Sequence, residues 1–245
     1  MSHDPASQAP DRMRPSPDQK FYLILSDITA SLEPFATEDS ITILDYGCGD
    51  SPYRSLFPNA DYKRADLEDK ANLDYVVRPG PPLEAPDATF DLILSSQVLE
   101  HVHDPAAYFR DCLRMLKPGG RLVATTHGSY PDHGGPHDYQ RWTPWGMDRD
   151  VKASGLEVEH IWRLTTGPRA VLQYWQMVME HTEASASSPI GLAIRLLRGL
   201  TRRCRPAIHR WSDQCWKAYS LCKESDFNYK HSLYVGLFVS ARKPS

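Results

Sequence analysis

Three stretches of this chain combine residue types and spacings that suit chemistry. The first is ILDYGCGD, residues 43–50. An apolar run ends in Asp45, and two glycines one residue apart follow, Gly47 and Gly49. Either a tight turn needs glycine dihedrals there, or a ligand lies against bare main chain. Asp66 comes 21 residues after Asp45. A carboxylate at that distance suits the two hydroxyls of a ribose. Glu68 or Asp69 takes that role if the register differs. The second stretch is QVLEH, with Gln97, Glu100 and His101. The third is THGSYPDHGGPHDYQRWTPWG, residues 126–146, which carries His127, His133 and His137 beside Asp132 and Asp138. An imidazole oriented by a carboxylate is a general base. Alternatively, His137, Asp138 and Arg141 lock the loop by hydrogen bonds. Tyr139, Trp142 and Trp145 line an acceptor pocket or pack into the core.

The elements that must hold these stretches alternate. FYLILSDITASLEPFA reads as a helix stopped near Pro34. Strands follow at Ile41–Tyr46, DYKRAD (ending in Asp66), LDYVV and FDLILSS, the last continuously apolar as a doubly covered parallel strand should be. HDPAAYFRDCLRMLKPGG is a helix ended by Pro118, Gly119 and Gly120. RLVATTHG is a fifth strand, TPWGMDRDVKASGL a helix capped by Thr143, and LEVEHIWRLT a sixth strand. HSLYVGLFVSARK, residues 231–243, alternates as a final strand. Such an order predicts an open parallel sheet with helices on both faces, binding its ligand beyond the carboxyl ends of the strands. A dinucleotide fingerprint needs a third glycine where this chain has Pro52, which opposes the alternative of a nicotinamide-dependent oxidoreductase.

These motifs together resemble class I S-adenosylmethionine-dependent methyltransferases of the type-11 family. Asp45, Gly47 and Gly49 match its first motif, with Ser51 where that motif has its last glycine. Phe90-Asp91, Leu99-Glu100-His101-Val102 and Lys117-Pro118-Gly119-Gly120 follow its later motifs, and the likeness spans roughly Ile41 to Thr166. PHDYQRWTPWG is similar to a segment of type-11 enzymes that often act on sugars or secondary metabolites. Arg78 and Pro79 stand where the family often has an acid after the third strand. The resemblance implies a Rossmann-like, seven-stranded, mostly parallel α/β sheet whose last strand is antiparallel. It implies S-adenosylmethionine as cofactor, held by Asp45, Tyr46, Gly47, Cys48, Gly49, Asp66, Leu67 and Gln97. It implies methyl transfer, to oxygen rather than nitrogen, on a small molecule, glycan or secondary metabolite. His137 or His127 is the expected base, and Tyr139, Arg141 and Trp142 the expected acceptor contacts. The remaining alternative is a protein that binds the cofactor without catalysis.

No metal is expected. Gln97 replaces the first acid of the ExxEH pattern that binds a divalent ion in methyltransferases of quinone biosynthesis. A zinc site from His127, His133 and His137 lacks evident outer partners. The net charge of −3 gives no reason to expect nucleic acid. Five cysteines without a CxxC pair read as reduced thiols of a cytoplasmic protein, Cys215 and Cys222 sharing a helix face. Residues 1–20, with four prolines, read as a disordered tail, and 21–245 as one methyltransferase domain. Residues 168–230 read as a helical cap inserted between strands six and seven, with a helix up to Cys204 and a further one from Pro206. On its basic helix, 189–203, Ile190, Ala193, Ile194, Leu197 and Leu200 share one face, and Arg195, Arg198 and Arg202 another. That pattern fits a lid with a solvated basic face, or weak contact with a membrane surface. The oligomeric state is left open.

Overall fold

The computed structural model describes residues 11–67, 72–135, 137–185, 187–223 and 228–245. In chain order the elements are α1 (Tyr22–Leu32), β1 (Thr42–Tyr46), β2 (Asp61–Asp66), β3 (Tyr75–Val76), β4 (Phe90–Ser96), α2 (Pro105–Met115), β5 (Leu116–His127), α3 (Pro144–Ala153), β6 (Glu157–Thr166), α4 (Gly167–His181), α5 (Pro189–Cys215), β7 (Leu221–Cys222) and β8 (Tyr234–Arg242). They build one sheet in the order β3-β2-β1-β4-β5-β8-β6-β7. The strands from β3 to β5 pair in parallel, and β8 runs antiparallel to both β5 and β6.

Central strands bury both faces, and their side chains alternate between two cores. Leu44, Ile93, Leu122 and Ala124 face a core with α2 and α3. Ile43, Leu92, Leu94 and Val123 face one with Ile24, Ile28 and Leu32 of α1. This is why the β4 sequence shows no alternation. The helices start where their caps allow. Asp104 accepts from the Ala107 N–H at 2.9 Å, and Thr143 accepts from the Gly146 N–H at 3.1 Å, each just before a proline at the first turn.

The sheet has eight strands rather than seven. The extra one, β7, lies inside the insertion and pairs antiparallel with Arg163 and Leu164 at the end of β6. Cys215 closes α5 while Cys222 belongs to β7, so the two share no helix face. α5 continues through Pro206 as a single helix of 27 residues instead of breaking there. One lost backbone N–H at Pro206 is outweighed by side chains that anchor the helix on both sides of it. These form a polar face turned inward, the reverse of an apolar lid face. Thr201, Arg205, His209 and Ser212 are buried, whereas Ile190, Leu192, Leu196 and Leu200 are exposed.

Residues 11–20 also differ from a disordered tail. Their main chain supplies acceptors that the cap needs: Pro17 O for His209 Nδ1 at 2.6 Å, Asp18 O for Arg205 at 3.2 Å and Lys20 O for Gln173 at 2.8 Å. Buried donors without such partners would be costly.

α4 and α5 are riveted to α1 by a buried ion cluster. Arg169 at the start of α4 is 1% exposed. It donates to Asp27 of α1 at 3.0 Å and to Asp213 of α5 at 2.9 Å. Asp27 also accepts from Thr165 at 2.6 Å and from Ser220. Burial pushes the Asp27 carboxyl up to about 6 in spite of Arg169 and these hydroxyls. Arg169→Met removes the cation and leaves two carboxylates behind, one of them buried. Its unfolding free energy in urea should fall by about 3–5 kcal/mol. A loss below about 1 kcal/mol would contradict the cluster's anchoring role.

Candidate active site

The carboxyl edge of the parallel sheet gathers the loops that carry chemistry. β1 ends at Tyr46 and the chain turns through Gly47 and Gly49, at φ +71° and +50°. A Cβ on Gly47 would lie 2.3 Å from Cγ2 of Val98, so that glycine makes room for the segment after β4. At Gly49 a Cβ would meet nothing within 4 Å, and the backbone there faces open space. Ser51 adopts φ +51°, so the residue standing for the last glycine of the motif takes the same left-handed backbone region.

Asp66 closes this loop from the tip of β2. It accepts from the Gly49 N–H at 2.7 Å and from the Leu67 N–H at 2.8 Å. The Cys48 thiol also reaches it at 3.9 Å, and a carboxylate has about four lone-pair sites, so capacity is left for a ligand hydroxyl. Arg64 braces the loop from below, donating to Gly49 O at 2.8 Å and Ser51 Oγ at 3.1 Å. Asp45 is buried and accepts from Tyr62 at 2.8 Å; burial pushes its carboxyl up to about 6. It works from beneath the loop, as does buried Cys48, and half-buried Tyr46 meets Tyr108 edge-on at 5.1 Å. Glu68 and Asp69 lie outside the described residues.

Gln97 follows β4 at φ +58°, a backbone region costly for a residue with a side chain. Its N–H donates to Thr125 O at 2.8 Å, and its amide reaches Thr125 Oγ1 at 3.2 Å. Three residues on, Glu100 is fully buried. One carboxylate oxygen accepts from Thr126 at 2.9 Å. The other lies 3.2 Å from His127 Nε2 without a hydrogen-bonding geometry. His127 ends β5, stacked on Tyr130 at 3.8 Å. Burial, then His133 and Arg141, push it down to about 3, while burial raises the Glu100 carboxyl. Both shifts favour uncharged forms, as a site closed to water requires.

The loop of residues 128–143 is self-braced. Arg141 grips Asp138 through both guanidinium nitrogens and holds that carboxyl well below the usual range. Asp138 also accepts from the His133 N–H at 3.0 Å. Arg141 is therefore bound up in the loop's own architecture. Trp142 is 6% exposed, donates to Asp150 at 3.0 Å and packs in the core. Neither has the free face expected of an acceptor contact. Tyr139 does, being exposed, with its N–H fixed on Glu100 O at 2.8 Å. His137 is exposed, and its carbonyl lies 2.6 Å from His101 Nδ1. The group that converges is instead buried Glu100 and His127 with half-buried His133, which sequence spacing did not bring together because Glu100 belongs to a different loop. A surface concavity of about 650 Å³ lined by Arg121, Glu159, His160 and Trp162 lies at the opposite end of β5 and β6, away from all these residues.

Comparison with known proteins places the family and the fold. A family described as a methyltransferase domain matches residues 19–166. Ubiquinone biosynthesis O-methyltransferase of Parvibaculum lavamentivorans is 27% identical over 170 residues, covering 56% of this chain and 66% of that protein. The protein of the same name from Chelativorans sp. is 27% identical over 225 residues, covering 84% of this chain and 73% of its own. The chain thus spans just under two thirds of the first relative's length, 66%. Among solved structures, an S-adenosylmethionine-dependent methyltransferase from Mesorhizobium loti superposes with a TM-score of 0.53 at 17% identity, over 88% of this chain and 97% of that one. At that identity the likeness speaks for the fold.

Gly47→Ala should destabilise the protein by about 1–3 kcal/mol, because strain at positive φ adds to the overlap with Val98. Val98→Ala in the same chain should recover part of that loss in thermal denaturation. Wild-type stability of Gly47→Ala alone would contradict the interlock.

Proposed function

Because the chain belongs to the methyltransferase-domain family matched over residues 19–166, we propose that it transfers the methyl group of S-adenosylmethionine to a hydroxyl oxygen of a small molecule. The observation that carries this reading is the left-handed Gly47–Gly49 turn, open at Gly49 and tied to Asp66 on the neighbouring strand tip. The methionine portion lies over the turn, and Asp66 accepts from the ribose hydroxyls. Gln97 borders the sulfonium, and Asp45, Tyr46, Cys48 and Leu67 support the turn. Pro52, at the position of a third glycine, weighs against a nicotinamide dinucleotide.

Methyl transfer from a sulfonium is an in-line displacement. The donor is already activated, so the protein orients the acceptor and removes its proton. The group that manages that proton belongs to the cluster of Glu100, His127 and His133 rather than to exposed His137. A hydroxyl acceptor is in keeping with the O-methyltransferase names of the relatives, and sugars or secondary metabolites remain within its range. Calorimetric titration should give binding of S-adenosylmethionine and its demethylated product, and none of NAD. Asp66→Ala should weaken that binding by about 1–3 kcal/mol with the far-ultraviolet circular dichroism unchanged. Unchanged affinity would refute the ribose contact. Cofactor binding with no label transfer to any acceptor would favour a non-catalytic binding protein.

We also propose that the basic helix within α5 touches a membrane surface. Leu192, Leu196 and Leu200 recur every four residues and are 53%, 67% and 58% exposed, with Arg195 and Arg203 exposed among them. Among the described residues no helix is long and apolar enough to cross a membrane, so the contact is peripheral. The protein should co-sediment with anionic vesicles and not with neutral ones, and Leu196→Glu should release it. Equal recovery in the supernatant with both vesicle types would reject the contact.

A further inference from the structure

Glu100, His127 and His133 each offer a ligating atom, and these atoms lie within 4.8 Å of one another. Three of their polar atoms have no hydrogen-bond partner: Glu100 Oε1, His127 Nδ1 and His133 Nδ1. Glu100 is 0% exposed and His127 7%, so water does not substitute there; of the three atoms, Glu100 Oε1 is the one turned to another ligand, His127 Nε2, while His133 Nδ1 is turned to Asp138. Burying an orphaned carboxyl oxygen against the His127 imidazole is costly. The pairwise geometry is also odd for hydrogen bonds. Glu100 Oε1 sits 3.2 Å from His127 Nε2, and Asp138 Oδ2 sits 3.3 Å from His133 Nδ1, yet neither pair is aligned as donor and acceptor. Donors on a tetrahedral zinc ion are separated by roughly 3.4 Å, as bonds of about 2.0–2.2 Å require. The Glu100–His127 edge already has that length.

We infer that Glu100, His127 and His133 form a binding site for a divalent transition-metal ion of zinc type, with an open coordination position. Two imidazole nitrogens and one carboxylate oxygen are a donor set that zinc favours where it keeps an exchangeable ligand. Two of the three ligands are already fixed. Thr126 holds Glu100 at 2.9 Å, and Tyr130 stacks on His127 at 3.8 Å. His133 supplies the adjustment, because it is on the loop and its side chain is 34% exposed. Asp138, itself clamped by Arg141, provides the outer carboxylate beside His133. His101 stands beside the group, with Nε2 3.9 Å from Glu100 Oε1 and Nδ1 2.6 Å from His137 O, and is not one of the three ligands. His137 is not part of the group. The site is empty of any need for Gln97, whose amide is engaged with Thr125.

The ligand set stands on the cluster alone. On the methyl-transfer reading, which this consequence rests on, an acceptor hydroxyl in the open position would have its pKa lowered, with His127 serving as ligand. The test uses the full chain stripped with a chelator and dialysed. Zinc alone is titrated in competition with a chromophoric chelator, and cobalt(II) is titrated by its visible absorption. One equivalent should bind, with cobalt giving the intense bands of a low-coordinate site. Even outer-partner losses cost 10–100-fold in metal affinity, so Glu100→Gln and His133→Ala should each cost about 100-fold or more. His160→Ala, at the far end of the sheet, should bind as wild type. Should Glu100→Gln fail to fold, His133→Ala on the loop carries the test. Substoichiometric zinc, or binding that both ligand substitutions leave unchanged, would overturn the site. Titration of the metal-free protein with S-adenosylmethionine is read separately, so failure of the metal site and failure of the cofactor reading are distinguishable.

Discussion

Val98 stands where a side chain on Gly47 would have to be. That contact joins the turn after β1 to the segment after β4, the two strands that neighbour each other in mid-sheet. Everything at the carboxyl edge inherits its position from it. Gly47 takes a left-handed backbone, Gly49 then faces open space, and its N–H points at Asp66. On the other side of the contact, Gln97 enters its own left-handed conformation, and Glu100 is carried down under β5 to meet Thr126. Strain at Gln97 is tolerable because both its main chain and its amide are tied to Thr125. Turn, switch point and buried carboxylate are thus one assembly.

The helices between β6 and β8 follow a different logic. A helix that turns Thr201, Arg205, His209 and Ser212 inward gains little from the hydrophobic effect on that side. Its attachment depends on matched polar partners, and these come from far along the chain: Pro17, Asp18, Gln176, Glu180 and Arg169. Such contacts give direction more than strength. The consequence is an apolar surface on α5 left facing outward, a feature that a helix serving stability alone would bury.

Much of the fold was legible in the residues. The continuous apolar run of β4, the caps at Asp104 and Thr143, and the glycines after β1 each express a local rule, and the parallel order follows from their alternation. The insertion was legible in extent and not in orientation. A helical wheel separates apolar from basic residues on α5, but which side faces the protein depends on partners in residues 11–20 and α4 that no local pattern encodes. Pro206 reads as a break because the lost N–H is a local cost, whereas the anchors that override it are tertiary. β7 is two residues long, too short for any periodicity. At the candidate site, the spacing pointed to Asp66 at the tip of β2, and its hydrogen bond with the Gly49 N–H was not legible. Nor was Trp142, since an aromatic residue in a loop motif is equally suited to a pocket or a core. Glu100 joined His127 only through the β4–β5 pairing, which brings two distant segments side by side.

The central claim is that the open main chain at Gly49 and the carboxylate of Asp66 together receive a sulfonium nucleoside. A crystal of the protein grown with S-adenosylmethionine tests it most directly. The account predicts density lying over residues 47–49 with both ribose hydroxyls on Asp66. Density elsewhere, or the nucleoside bound with its ribose turned away from Asp66, would contradict it.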